Sequence, residues 1–387
     1  MKPLDFSFDV IITGAGPAGC TAALAMGNSG LKVLLIDKQK NSNSKICGGA
    51  LAAYIPKVLH SIRPDFADAF HQWNQKNPVN TCLISFDRKQ SVEFIFSQTG
   101  WICRREEFDS FMLELVKTLP NVTICKNQKV IDVFQYKDRI DIKTYRNDIF
   151  QSKLLIACDG ANSIIRKKLL HRTIDKTQHA TAVRAIYSNV SGLKTNTFEM
   201  HFLKELSPGY FWIFPLNENE CNVGLGMSTQ KIIRNKVQMK ALLLKTISEY
   251  PQFISRFENA LPTGKIEGAG LPLGTTKLPV SGSRFMLCGD AASLIDPLTG
   301  EGIGQAMISG RYAGWHAIDC FRKDSFHKEF MSQYDTTLYN KLWKNNRRRK
   351  RIVNLILNFP SIFKAGLLLT GKSRFFHKMI RKKLESS

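Results

Sequence analysis

The chain has 387 residues, of which 43% are hydrophobic, so it can bury a large core and form more than one domain. Its nine cysteines lack C-x-x-C spacing, which argues against a disulfide framework and a zinc site, and we expect no bound metal. The net charge is +23. Because no secretory signal pattern opens the sequence, we expect a cytoplasmic protein.

A strand, a glycine-rich turn and a helix open the predicted fold. The apolar run over residues 8–13 is typical of a buried parallel strand, and a helical pattern covers residues 20–28. Between them, Gly14, Gly16 and Gly19 stand in G-x-G-x-x-G spacing. The first glycine permits a tight turn, the second lets a pyrophosphate approach, and the third lets helix and strand pack closely. The phosphates would bind at the positive end of the helix.

A second strand, over residues 32–36, ends in Asp37, about 20 residues after the glycines, where a carboxylate would bind ribose hydroxyls. An ordinary glycine-rich turn would explain the glycines but not this acid. The first unit therefore predicts a dinucleotide site. Its other candidate binding residues are Pro17, Ala18 and Lys38.

Two later strands also end in acidic and glycine residues. The strand that includes residues 154–158 is followed by Asp159 and Gly160, and the strand over residues 284–288 by Gly289 and Asp290. At a strand end, Asp290 can reach a ribityl hydroxyl or a phosphate. These positions predict that the same nucleotide is bound by segments far apart in the chain.

The helix predicted over residues 305–321 begins after a third set of glycines. Gly300 and Gly302, with Ile303 beside them, place its first amides where they can face the pyrimidine ring of a flavin. The positive helix end would stabilise the anion of a reduced flavin. Together with the first glycines, this segment predicts FAD, bound at both ends by one folded unit.

In order and spacing, these segments resemble the flavoprotein hydroxylase superfamily over residues 8–325, and within it the geranylgeranyl reductase family. Lys45-Ile-Cys-Gly-Gly49 looks like the family's Cys-Gly loop beside the flavin, and Arg105-Glu-Glu-Phe-Asp109 like its Arg-x-x-Phe-Asp motif. Tyr210-Phe-Trp-Ile-Phe-Pro215 matches its Tyr-x-Trp-x-Phe-Pro motif. Asp37 is a departure, since the family more often has Glu there.

The resemblance implies roles for single residues. Cofactor contacts are expected from Cys47, Gly48, Gly49, Arg105 and Val130. The Cys47 thiol would lie beside the isoalloxazine ring as a proton donor or a modulator of flavin reactivity, or it would simply pack in its loop. Lys45 would pair with a phosphate or an electron donor, or remain a solvated loop lysine.

The aromatic motif is expected to bind the substrate through Tyr210, Trp212, Phe214 and Pro215. The first three alternate along one strand and so project from one face, either as ordinary sheet core or as the wall of an apolar channel. An isolated alkene offers almost no polar handle, so its site must be apolar, and each buried CH₂ contributes about 0.8 kcal/mol.

The predicted fold class is α/β, or α+β overall. A discontinuous Rossmann-like FAD-binding domain is expected over residues 1–75, 100–178 and 265–325. An antiparallel-sheet substrate domain is expected over residues 76–99 and 179–264, with strands at 181–190, 197–203, 209–216 and 220–227 and a hairpin at 81–85 and 92–96. Residues 326–387 are expected to form a helical region.

The end of the chain is strongly basic. Residues 341–387 hold fourteen Lys and Arg against one acid, Glu385, and include the run Arg347–Arg351. The apolar run 352–369 is interrupted by polar residues, so we expect it to lie on an anionic membrane rather than to span one. A solvated helix packed on its own catalytic domain is an alternative. Nucleic-acid binding is another, but no recognition motif accompanies the charge, and we expect no nucleic-acid partner.

These features favour a monomeric FAD-dependent reductase that saturates carbon–carbon double bonds of an isoprenoid or other lipid-like substrate by hydride transfer. No second nucleotide-binding unit is evident, so the electron donor stays open between NAD(P)H, ferredoxin and a quinol. The alternatives are a flavin monooxygenase or halogenase acting on an aromatic or polyketide-like substrate, and a flavin-bearing scaffold. A halogenase is expected to carry Trp-x-Trp-x-Ile-Pro, where this chain has Tyr210 to Pro215.

Overall fold

The computed structural model describes residues 7–40, 45–86 and 90–358, and within them the strands form two sheets. The strands are β1 (Ser7–Thr13), β2 (Val33–Ile36), β3 (Ala50–Leu51), β4 (Asn77–Phe86), β5 (Gln90–Ile102), β6 (Val122–Cys125), β7 (Val130–Gln135), β8 (Ile140–Thr144), β9 (Ile149–Ala157), β10 (His179–Ser188), β11 (Thr197–Phe202), β12 (Gly209–Pro215), β13 (Glu220–Ser228), β14 (Leu261–Pro262), β15 (Glu267–Pro272), β16 (Ser281–Gly282) and β17 (Phe285–Leu287). The helices are α1 (Pro17–Ala25), α2 (Ile55–His60), α3 (Pro64–Gln72), α4 (Arg105–Lys117), α5 (Ile164–Leu169), α6 (Thr229–Arg234), α7 (Met239–Glu249), α8 (Pro251–Phe257), α9 (Ile303–Arg322) and α10 (Lys328–Asn358).

The first sheet is built around β1, and its strand order is β16-β17-β9-β1-β2-β6. The five strands from β17 to β6 run parallel, while β7 and β8 join β9 as an antiparallel meander. Val10, Ile11 and Ile12 of β1 are fully buried, as expected for a parallel strand covered on both faces. The parallel register brings the ends of β1, β9 and β17 to one edge, where the cofactor segments were predicted.

The second sheet runs in the order β14-β10-β13-β12-β11-β4-β5-β3, and β15 also pairs with β10. One of its faces packs against helices, since Phe211 and Leu225 share a core with Leu243 and Phe253 of α7 and α8. Side chains alternate along each strand, so the residues between these point to the opposite face. That face carries the predicted aromatic motif.

The predicted α/β fold class is confirmed, and the predicted strands are present with ends shifted by a few residues. The sheet is not purely antiparallel, because β11 pairs with β4 in parallel. Ala50–Leu51 and Glu267–Pro272, inside ranges predicted for the FAD-binding domain, pair with this second sheet. The sequence analysis missed the β7–β8 meander and helices α6 to α8.

The basic run Arg347–Arg351 lies within α10, so the predicted helical character holds for residues 328–358. The rest of the segment predicted to lie on a membrane, residues 359–369, falls outside the described residues. Among the helices of the described ranges, none combines the length and apolarity needed to cross a membrane.

Candidate active site

The first glycine turn joins β1 to α1 and is too tight for side chains. Gly14 has φ +96°, and a Cβ there would overlap the Cys158 carbonyl after β9. A Cβ on Gly16 would instead find its nearest atom, Nη2 of Arg105, 3.6 Å away. No side chain caps α1, whose first residue is Pro17, so amides of its first turn remain for an anion. Ala18 follows within that turn.

Asp37, predicted to bind ribose, also fixes this turn. One carboxylate oxygen accepts from the amide of Ala15 and the other from the amide of Gln39, each at 2.6 Å. Each oxygen keeps a second lone pair, so the ribose role stays a prediction. Lys38 follows at an exposed position. Val130, at the start of β7, lies two residues beyond Gln128, whose amide donates to the Asp37 carbonyl.

Arg105 begins α4 and lies over the glycine turn. Only 5% of it is exposed, and its Nε donates to Oδ1 of Asp109 at 2.6 Å. Burial by itself lowers the pKa of Arg105, but Asp109 outweighs it and holds the pKa above its ordinary value. A buried, permanently charged guanidinium beside Gly16 suits a pyrophosphate.

Asp159 follows β9 at the same edge of the sheet. Its Oδ2 accepts from the amide of Ile164 at 2.8 Å, whereas its buried Oδ1 has no hydrogen-bond partner among the described residues. Burial raises the pKa of this carboxyl. A buried acceptor without a partner requires a donor, such as a hydroxyl of a bound molecule. Gly160, at φ +84°, leaves open space beside it.

Arg166 on α5 ties two cofactor segments together and was missed by the sequence analysis. It donates to the carbonyl of Ala161 at 2.6 Å and to that of Ala291 at 3.0 Å, and its Nη1 lies 3.3 Å from the Asp290 carbonyl. The Asp159 loop is thereby held against the turn that begins at Gly289. An arginine seven residues after Asp159, on the following helix, was the available signal.

Asp290 is 6% exposed and forms an ion pair with Lys45. The Lys45 side chain stays 43% exposed, and its ion pair joins the Cys-Gly loop to the strand end at β17. The predicted contact of Asp290 with a ribityl hydroxyl or phosphate stays a prediction.

The loop before α9 contains a half-buried acidic side chain, Glu301, that the sequence analysis missed. Gly300 has φ +72°, and Gly302 is the residue immediately before the helix, followed by Ile303. Glu301 accepts from the amide of Gly304 at 2.5 Å and from the hydroxyl of Tyr54 at 3.1 Å. Burial raises the pKa of Glu301.

The Cys47 loop lies directly against the aromatic motif. Asn222 of β13, also missed, donates to the Cys47 carbonyl at 2.8 Å and accepts from Trp212 Nε1 at 3.0 Å. A Cβ on Gly48 would lie 3.2 Å from the Phe214 ring, so the loop and the ring are in close contact. Gly49 donates its amide to Cys47 Sγ at 3.4 Å.

Tyr210, Trp212 and Phe214 share one face of β12, as predicted. Neighbouring ring centroids lie 6.1 and 6.0 Å apart, and Phe198 extends the row 5.8 Å from Phe214. The Tyr210 hydroxyl donates to the carbonyl of Thr299 in the loop before α9. The strand thus joins the predicted flavin loop at one end and the Cys47 loop at the other.

Pro215 closes the same strand. Its carbonyl accepts from Nδ2 of Asn77 at 3.0 Å, which ties β12 to the start of β4. No described contact brings Pro215 to the cofactor segments, so its predicted substrate role stays a prediction.

Comparisons with known proteins identify two family profiles in this chain. The profile of the FAD binding domain matches residues 9–90, and that of the geranylgeranyl reductase catalytic domain matches residues 178–260. A digeranylgeranylglycerophospholipid reductase from Thermoplasma volcanium is 25% identical over 364 residues, covering 90% of this chain and 86% of the relative. A menaquinone reductase from Mycobacterium tuberculosis is 29% identical over 323 residues, covering 80% of this chain and 76% of the relative.

Two solved structures share the fold. A geranylgeranyl bacteriochlorophyll reductase-like protein from Thermoplasma acidophilum gives a TM-score of 0.78 at 23% identity, covering 90% of this chain and 87% of that protein. A flavin-dependent brominase gives 0.78 at 19% identity, covering 98% and 93%. Because both sequence identities are below 25%, these two structures are evidence for the shared fold and not for a shared activity.

The residues present fit FAD, which the matched binding-domain profile supports. The first turn of α1 and the buried Arg105 suit the pyrophosphate. Asp159 Oδ1 offers an acceptor to which no residue of the described ranges donates. The start of α9 offers the positive helix end predicted for the pyrimidine ring.

Proposed function

We propose that this chain, a member of the geranylgeranyl reductase family of FAD-dependent oxidoreductases, saturates carbon–carbon double bonds in the isoprenoid chain of a lipid. One observation carries the proposal: the aromatic row on β12 lies directly against the Cys-Gly-Gly loop, with the Gly48 backbone in contact with Phe214. This strand belongs to the part that matches the reductase catalytic domain. The names of the relatives, which refer to geranylgeranyl lipids and menaquinone, support a polyprenyl substrate.

When bound, FAD supplies the hydride that reduction of an alkene requires. The protein's own contribution is to bind and orient the substrate and to exclude water from the site. Trp212 and Phe214 are each 7% exposed and offer rings but no charge, so they suit a hydrocarbon chain, at about 0.8 kcal/mol for each buried CH₂. Asn222 uses its side-chain amide to hold the loop of Cys47 in register with Trp212.

We propose Cys47 as the group that transfers a proton to the second carbon of the reduced bond. Its thiol is half-buried, in the loop that touches the aromatic row. Cys47→Ala is expected to leave flavin reduction intact and to lower alkene turnover. Cys125→Ala removes another half-buried thiol, at the end of β6, and is the matched control. Equal alkene turnover in the wild type and Cys47→Ala would dismiss the catalytic role.

Several further features belong to the proposal. The electrons come from a separate donor, NAD(P)H or ferredoxin, and anaerobic mixing with each shows which reduces the flavin. The enzyme acts as a monomer at the inner face of a membrane, where the basic end of the chain meets anionic lipid. Flotation with anionic and with neutral vesicles tests that association.

The decisive experiment uses the anaerobically reduced flavoprotein. Adding a digeranylgeranyl glycerophospholipid in one arm and menaquinone in another is expected to reoxidise the flavin and to add two hydrogens to the isoprenoid chain for each bond reduced, counted after any quinol has been oxidised back to the quinone. The arm that reacts names the lipid class. Oxygen-dependent consumption of an aromatic compound, with no hydrogen gain in either lipid, would instead identify a monooxygenase or halogenase. The brominase shares only the fold, so this alternative has no further support.

A further inference from the structure

The loop before α9 is folded around one completely buried carboxylate. Oδ1 of Asp296 accepts from the amides of Leu298 at 2.8 Å and Thr299 at 3.0 Å. Its backbone amide donates to the Glu301 carbonyl, and its own carbonyl accepts from Gly300. This loop therefore contains Thr299, whose carbonyl accepts from the Tyr210 hydroxyl, and the glycines that precede α9.

The other carboxylate oxygen of Asp296 pairs with Arg349, a residue of the basic run on α10. Asp296 is fully buried and the Arg349 side chain is 17% exposed, so the pair is shielded from solvent. One turn away, Asn346 lies 3.4 Å from Gln305 in the first turn of α9, and Lys350 donates to the Thr275 carbonyl at 3.1 Å. The inner face of α10 is thus fixed to the predicted flavin loop.

The outer face of the same turns is a basic stripe. Lys344, Arg347, Arg348 and Arg351 are exposed at spacings of three and four residues, which places them along one side of the helix. Leu355, 41% exposed, continues the stripe. No acidic residue occurs over residues 341–358. Such a stripe is complementary in charge to an anionic lipid surface.

We infer that Arg349 is a positioning residue through which docking of the basic stripe on an anionic lipid bilayer stabilises the loop that receives the flavin and anchors Tyr210. Parts of a folded protein open locally at a lower free energy than global unfolding requires. A surface that binds only the folded helix shifts the folding equilibrium of this helix towards the folded state. The same shift favours the ion pair between Arg349 and Asp296. This inference rests on the proposed membrane-bound reductase.

The first test measures flavin dissociation from the holoenzyme by fluorescence, with kcat and KM determined separately. Arg349→Gln is expected to raise the flavin Kd by about tenfold, as expected when a charge-assisted hydrogen bond is lost. Arg348→Gln removes an adjacent, exposed charge and is expected to leave the flavin Kd unchanged. Arg349→Lys, which restores the charge, is expected to recover part of the affinity.

If Arg349→Gln does not fold because Asp296 is left buried without a partner, Asp296→Asn with Arg349→Gln removes both charges together. This double variant is also expected to bind flavin more weakly. Wild-type values of the flavin Kd, kcat and KM in a folded variant would overturn the positioning role.

The second test adds vesicles of equal parts phosphatidylglycerol and phosphatidylcholine, or of phosphatidylcholine alone. Anionic vesicles are expected to lower the flavin Kd of the wild type, with no effect from neutral ones. Lys344→Glu with Arg351→Glu is expected to abolish this response while the flavin Kd without vesicles stays normal. The Asp296→Asn, Arg349→Gln variant is expected to bind the vesicles but not to respond.

An unchanged flavin Kd in wild-type protein that binds anionic vesicles would refute the coupling. The proposed reductase function can fail separately. If anionic vesicles lower the flavin Kd but no lipid alkene is reduced, the function is wrong and the coupling stands. If lipid is reduced with no vesicle response, the function stands and the coupling is wrong.

Discussion

The contact between Gly224 and Trp212 provides a sharp test of the aromatic row. Gly224 of β13 pairs with Trp212 across the sheet, and a Cβ there would lie 2.7 Å from Trp212 Cη2 and overlap other atoms of the indole and the Val183 carbonyl. Gly224→Ala must therefore displace the ring and also shift the backbone at Val183. Such overpacking costs about 1–3 kcal/mol. Loss of the hydrogen bond from Trp212 to Asn222 adds about 1 kcal/mol.

If this combined cost falls on the bound transition state, kcat/KM for the lipid falls by roughly 30- to 900-fold. The matched control is Gly226→Ala, two residues along the same strand, where the nearest atom, Cβ of Ala182, lies 3.4 Å away. It is expected to keep nearly wild-type activity. The test is to measure kcat/KM with a digeranylgeranyl lipid, together with the flavin Kd, for both variants. If Gly224→Ala and Gly226→Ala have equal kcat/KM, the position of Trp212 does not matter to the substrate.

Two further predictions concern charge. Arg105→Lys keeps the charge but loses the guanidinium arm near Gly16, so a flavin titration should show a Kd raised about tenfold; Arg104→Lys, the control, should not differ from wild type. Burial by itself would raise the pKa of Glu199, but hydrogen bonds from Arg256 and His201 lower it from an ordinary 4.5 to about 2. The resulting stabilisation, about 3 kcal/mol, is fully present above pH 4.5 and lost as the pH falls towards 2. Urea unfolding across this range should show no such loss when Glu199→Gln is combined with Arg256→Met, and an identical loss would contradict the assignment.

Local patterns predicted the cofactor segments because their chemistry is carried by a few adjacent residues. The first glycines, Asp159 and Asp290 each follow a strand, and parallel strands bring their ends to one edge. Asn222 was not predictable in this way, because its partner Cys47 lies 175 residues away and the register of β12 on β13 is what places Asn222 beside the aromatic row. The pair of Arg349 with Asp296 was hidden for the same reason, since a basic run is normally a solvated surface.

The two faces of β12 support a binding wall over ordinary core for the aromatic row. Phe211 packs on Phe253 of α8, with ring centroids 4.7 Å apart, so helices cover that face. On the other face, Phe214 meets the backbone of Gly48, and Tyr210 uses its hydroxyl on the loop before α9. Trp212 and Phe214 also pack with apolar side chains of the same sheet, such as Ile102, but this face is bordered by two loops that match cofactor motifs. We therefore expect an apolar substrate to meet the flavin at this row, where the positions of the rings would matter as well as their hydrophobicity.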